Sequence, residues 1–167
     1  GSGMMHHTLW LRIKKIAGIQ ALDIPYDGGR PAITSAMGGH DDAVINNPSV
    51  MKSPIEIGKL KGIFITGEKR LKDFPSLSNI PTLRELGIDI VRYQWRGMMA
   101  PTGTPKEIIQ YLAQAFKKMN EDPEWLPFLK KFVWEPGYLG PDEFTKLVKE
   151  EINETRELLI EAGLLKK

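Results

Sequence analysis

The sequence predicts an α/β protein with a largely parallel sheet. Short apolar runs rich in Ile, Val and Phe alternate with segments of helical period, and glycine or proline marks nearly every change of period. The size agrees: 167 residues and 18.8 kDa suit one domain or two small lobes with a real core.

Each element follows in order. Residues 8–17 read as a helix with Leu9, Ile13, Ile16 and Ala17 on one face and Gly18 as its stop. Residues 21–25 read as a strand and Tyr26-Asp27-Gly28-Gly29 as a turn. Pro31 falls in the first turn of a second helix that Gly38-Gly39 ends. Residues 42–46 form a short buried strand, and Asn47-Pro48-Ser49 opens a third helix. Ile63-Phe64-Ile65-Thr66 is the next strand, residues 67–81 are surface loop, and 82–86 make one helical turn. Residues 88–100 are apolar and extended. Thr104-Pro105-Lys106-Glu107 reads as a capping box before a helix with Ile108, Leu112, Ala115, Phe116 and Met119 as one stripe. A short helix carries Trp125, Phe128 and Leu129, residues 132–135 are a candidate strand, and Pro141 starts a long final helix lined by Phe144, Leu147, Val148, Ile152 and Leu159. These last helices must bury their apolar faces, yet the second half offers little sheet to pack on.

Composition excludes several functions. Hydrophobic residues at 41% make the chain too apolar for disorder. A formal charge of +2, without a dense basic cluster, gives no footprint for nucleic acid. With no cysteine there are no disulfides, thiolate metal sites or cysteine nucleophiles. No apolar run approaches the ~20 residues that span a bilayer, and the first residues lack the basic and apolar stretches of a signal peptide.

Three helix starts are the candidate binding residues. Gly1-Ser2-Gly3 leads into the first helix, where Ser2 and Gly3, with His6 and His7, would offer hydrogen-bond donors to an anion. Tyr26 and Gly28 mark a glycine turn opening the second helix, and Asn46 and Asn47 open the third. Strand ends of this kind line the ligand crevice of open α/β sheets. Taken singly, each is also ordinary capping or turn chemistry; their coincidence points to a pocket for anionic or hydroxylated small molecules. No catalytic motif stands out: GxSxG, Walker A and GxGxxG are all missing. A metal-dependent hydrolase would have to use His6, His7, His40 and Asp41, but adjacent helical residues point about 100° apart. No metal, cofactor or enzymatic activity is expected.

The motifs occur in a recognisable order: Pro25-Tyr26-Asp27-Gly28-Gly29, Gly38-Gly39-His40-Asp41-Asp42, Asn47-Pro48, Gly58-Lys59-Leu60, Lys69-Arg70, Pro81-Thr82-Leu83-Arg84-Glu85, and Trp95-Arg96-Gly97 through Ala100-Pro101-Thr102-Gly103-Thr104-Pro105. The chain resembles the substrate-binding proteins of tripartite tricarboxylate transporters, the Bordetella-uptake-gene type, over about residues 3–164. The resemblance implies a type II periplasmic-binding-protein fold: one complete α/β lobe, plus C-terminal helices belonging to an incomplete second lobe. Residues 1–95 would be the ligand-binding lobe, lobe two of the family. Residues 96–167 would be the crossing strand and helical part that completes lobe one, whose first part is missing. It also implies a periplasmic location, a di- or tricarboxylate or related organic acid as ligand, and membrane transporter subunits as partners. Asp41 departs from the family pattern, which has an apolar residue there. The alternative reading is an oligomer-stabilised structural module with no retained ligand binding.

Overall fold

The computed structural model describes residues 5–166. Its elements are α1 (Met5–Ala17), α2 (Gly29–Met37), α3 (Pro48–Glu56), a 3-10 turn (Arg84–Leu86), α4 (Lys106–Asn120), α5 (Trp125–Lys131) and α6 (Pro141–Glu161). The helices expected from sequence are therefore present, with Pro31 in the first turn of α2 and Gly38 at its C-cap.

The strands are corrected. Among the described residues the sheet is reduced to one parallel bridge, between Ile65 and Thr82. There the Ile65 N–H donates to the Pro81 carbonyl at 2.9 Å and the Leu83 N–H donates to the Ile65 carbonyl at 3.0 Å. The Arg92 N–H donates to the Thr66 carbonyl at 2.8 Å, and the Thr66 hydroxyl donates to the Arg92 carbonyl at 2.7 Å. The segments expected as strands at 21–25 and 42–46 carry no named strand, and 132–135 closes a helix instead. An apolar run makes a strand only where a neighbour in register satisfies its backbone. Residues 21–25 lie outside the core, with Leu22 87% exposed.

Contacts divide the chain into two compact units, Gly1–Gln94 with Glu157–Lys167, and Trp95–Arg156. The first is built on Leu9 and Ile13 of α1, packed with Leu83 and Ile90 and flanked by Trp10, Ile45, Phe64 and Ile88. Each such large side chain contributes roughly 1.5–3 kcal/mol on burial. The apolar face of α1 is narrower than its sequence suggests, because Ile16 and Ala17 stay exposed. Asp23 pins the following segment to α1: it accepts from the Trp10 indole at 2.6 Å and from Lys14 Nζ at 2.7 Å. Glu161, in the last turn of α6, pairs with Lys15 at 2.7 Å. The capping box forms at Thr82–Glu85, not at Thr104: the Thr82 N–H donates to Glu85 at 2.8 Å, and the Glu85 N–H donates to the Thr82 hydroxyl at 3.2 Å. Thr104 instead donates to the Pro101 carbonyl at 2.8 Å, and Pro105 is the N-cap of α4.

The second unit is aromatic. Trp125 and Phe128 stack at 5.1 Å, Phe128 meets Phe132 at 5.1 Å, and Phe132 meets Trp134 at 5.0 Å. The Arg96 guanidinium lies 3.8 Å above Trp134, a cation–π contact. Trp95 donates to Glu151 at 2.7 Å and meets Phe144 edge-on at 4.9 Å. Gly97 sits directly against the Phe144 ring, so a side chain there would collide with it. Val133, buried at the end of α5, adopts φ 54, a left-handed conformation that a β-branched residue rarely takes.

Candidate functional site

The N-termini of three helices meet in the first unit. His6, in the first turn of α1, places Nε2 3.3 Å from the side-chain oxygen of Asn47. Asn47 is the N-cap of α3, in extended conformation, and its side chain makes no cap bond to its own helix. Asn46 bridges to α2: its Nδ2 donates to the Gly29 carbonyl at 3.1 Å, and its Oδ1 accepts the Asn47 N–H at 2.9 Å. Gly29 has no room for a side chain, since a Cβ would lie 2.5 Å from Asn46 Nδ2. Gly28, the N-cap of α2, sits at φ 116, which requires glycine.

Two hydrogen bonds thus tie together the starts of α1, α2 and α3, bringing His6, Gly28, Asn46 and Asn47 to one place. The backbone N–H groups of a first turn carry partial positive charge, so three converging starts suit a negatively charged ligand. The acceptor oxygen of Asn47 assigns a proton to His6 Nε2 and leaves Nδ1 as an acceptor. Burial pushes the His6 pKa below its usual value, and the Asn47 bond offsets part of this.

The other sequence candidates divide. His7 is half-buried, and its field falls on Asp23, helping to hold that carboxyl below its usual range. The Tyr26 hydroxyl lies 2.8 Å from Asp41 and 2.7 Å from the Ser35 hydroxyl. A phenol has one proton, so Tyr26 donates to the Asp41 carboxylate and accepts from Ser35. Ser2 and Gly3 lie outside the described residues. Sequence reasoning missed the Asn46–Gly29 bridge, whose only trace in the sequence is a glycine where Asn46 would meet a Cβ. The hydrolase residues are dispersed: His6 faces Asn47, Asp41 holds Tyr26, and His40 packs against Gly38. Among the described residues no group of three His, Asp or Glu side chains could hold a metal ion.

A shallow polar depression of about 820 Å³ lies elsewhere in this unit, beside Lys69, Arg70, Arg84 and Glu85. Two of its cations are paired, Arg70 with Glu85 at 2.9 Å and Arg84 with Asp89 at 2.7 Å. The Lys69-Arg70 and Thr82–Glu85 motifs therefore hold one another in place.

A family model for the tripartite tricarboxylate transporter family receptor matches residues 1–164. The chain belongs to this family. A UPF0065 protein of Cupriavidus necator is 36% identical over 162 residues, 95% of this chain and 48% of its own length. BugT of Bordetella pertussis is 30% identical over 165 residues, 96% of this chain and 49% of its own. The crystal structure of a TctC solute-binding protein from Polaromonas, without ligand, matches with a TM-score of 0.76 at 27% identity, covering 96% of this chain and 55% of that one. The chain spans about half the length of the curated relatives it matches. The family is one of receptors, not an enzyme class. The Polaromonas likeness places this chain within a periplasmic-binding-protein fold, although the helices are far better formed here than the sheet. Among the described residues no helix is long and apolar enough to cross a membrane.

Proposed function

We propose that this chain binds a di- or tricarboxylate, or a related organic acid, for delivery to a membrane transporter, and that it acts in the periplasm. Residues 1–95 form the ligand-binding lobe in this reading, and 96–167 the crossing strand and helical part of lobe one. The observation that carries it is the pair of bonds His6–Asn47 and Asn46–Gly29, which hold three helix starts together. Their N–H groups neutralise a carboxylate, with His7, Tyr26 and Gly28 completing the surroundings in this reading. The family membership supports the receptor role, and the likeness to the Polaromonas solute-binding protein supports binding over catalysis.

Citrate tests the reading. A titration followed by amide chemical shifts is expected to move the signals of Gly28, Gly29, Asn47 and Ser49 and to raise the melting temperature. Asn47→Asp keeps the acceptor for His6 but adds a negative charge, and should abolish the citrate response while the unliganded protein melts as before. Equal responses in both proteins would end the proposal.

A second reading is favoured by one observation: α4 and α6 contain no buried residue. It makes the chain a structural module stabilised as an oligomer, with no retained ligand binding. A dimer that resists dilution and ignores citrate supports it.

A further inference from the structure

Asp27-Gly28 is the only place in the sequence where Asp or Asn precedes Gly. Both residues are exposed. Among the described residues the Asp27 carboxylate enters no hydrogen bond or ion pair, and the Gly28 N–H donates to no acceptor. Gly28 stands before the first residue of α2, so its nitrogen lies outside the helical ladder. A peptide nitrogen that follows an aspartate can close a five-membered imide ring on the side-chain carboxyl. A side chain on the following residue hinders that closure, and glycine has none. The residues on either side are held. The Tyr26 hydroxyl is fixed by Asp41 at 2.8 Å and Ser35 at 2.7 Å. The Gly29 carbonyl accepts from Asn46 at 3.1 Å.

We propose that Asp27 is a site of spontaneous isoaspartyl formation, a covalent modification built into the turn that opens α2. The Gly28 nitrogen attacks Cγ of the Asp27 carboxylic acid. The new C–N bond closes the ring, and the nitrogen's hydrogen leaves with the carboxyl OH as water. A second water then adds at the main-chain carbonyl carbon of Asp27, and the bond from that carbon to the Gly28 nitrogen breaks. The main chain now runs through Cβ and Cγ of Asp27, and the former main-chain carbonyl is a free carboxylate. Water is the only co-reactant. The path between Tyr26 and Gly29 gains one carbon, about 1.5 Å of bond, although other bonds fix both ends. Two hydrogen bonds hold Tyr26 and one holds the Gly29 carbonyl, so the Asn46–Gly29 bond is the one that gives. The proposal rests on the chemistry of the turn and not on the carboxylate reading.

The test incubates the folded protein for weeks at neutral pH and body temperature, without citrate. Samples are offered to an isoaspartyl-specific methyltransferase with labelled S-adenosylmethionine, whose methyl group passes to the freed carboxylate. Fragmentation of the labelled peptide locates the linkage. Methyl acceptance is expected to rise several-fold with incubation and to lie at residue 27. In the modified fraction the signals of the Gly29 amide and the Asn46 side chain should move. Asp27→Glu keeps the charge but would have to close a six-membered ring. It should lower the acceptance several-fold, while the fresh variant melts like the parent because Asp27 holds no partner. Acceptance that does not rise, that first appears at another Asp or Asn, that is equal in Asp27→Glu or that needs prior unfolding in urea overturns the inference. So does a modified fraction in which the Gly29 and Asn46 signals stay in place. Citrate binding is read by its own titration on fresh protein, so either proposal can fail without the other.

Discussion

His6 Nε2 and Asn47 Oδ1 lie 3.3 Å apart across 41 residues of chain, joining the first turn of α1 to the cap of α3. Because the acceptor is an amide oxygen, the bond survives in both protonation states of the imidazole. The cost of charging His6 therefore comes chiefly from burial.

The pH dependence follows with a definite sign. The folded-state pKa of His6 lies below its ordinary 6.5. Between the two values the unfolded chain binds more protons, so stability falls as pH drops from 6.5 towards the lowered value. A melting series from pH 7.5 to 5 should show this decline, and His6→Gln should flatten it. A carboxylate bound beside the ring should raise the His6 pKa in the complex.

Gly29 and Asn46 should behave as one unit. Gly29→Ala places a Cβ 2.5 Å from the Asn46 amide and should cost about 1–3 kcal/mol, as overpacking does. Asn46→Ala removes the obstacle together with its bond to Gly29. The double variant should therefore be more stable than the sum of the two losses predicts, by more than ~0.5 kcal/mol in a thermodynamic cycle.

Asp23 gathers the Trp10 indole and the Lys14 ammonium on one carboxylate. Partial burial pushes its pKa up, but the hydrogen bonds from Lys14 and Trp10 outweigh this and hold it below the ordinary 3.8. That stabilisation is present above 3.8 and is lost as pH falls through the lowered value. Asp23→Asn should reduce stability at pH 7 by about 1 kcal/mol and remove the acid-induced part of the loss. Denaturant midpoints at pH 7 and pH 3 measure both effects.

Val133 should invert the usual ranking of small residues. Its φ of 54 is unfavourable for any side chain, by roughly 1–2 kcal/mol in the left-handed helical region. Both Val133→Ala and Val133→Gly lose buried apolar area, but only glycine relieves the backbone. Val133→Gly should therefore be the more stable variant by about 1 kcal/mol, the reverse of their order in an ordinary helix.

The helices were legible because their signals are local. Pro31 near the start of α2, Gly38 after its end and Asn47 ahead of Pro48 each act within a few residues. The sheet was not, because a strand is defined by its neighbour, and segments 21–25 and 42–46 have no ladder partner in the chain described. The capping motif shows the same limit. Thr82–Glu85 and Thr104–Glu107 have the same spacing, yet only the first forms the reciprocal pair, where Arg70 adds a 2.9 Å bond to Glu85 and Thr82 is buried. At the candidate site, the helix starts were visible as glycine and asparagine turns. The bonds linking them, from His6 to Asn47 and from Asn46 to Gly29, depend on long-range packing that no local pattern encodes.

The exposed pair Met98 and Met99 has a chemical consequence. At 68% and 70% exposure their sulfurs stand open to solvent, so dilute peroxide should convert both to sulfoxides well before the half-buried Met51. A mass increment on their peptide, ahead of those carrying Met37 and Met119 at 40% and 38% exposure, would then mark residues 98–99 as the most oxidant-sensitive of these stretches. Its disappearance in an assembled receptor would show that the thioethers had been shielded.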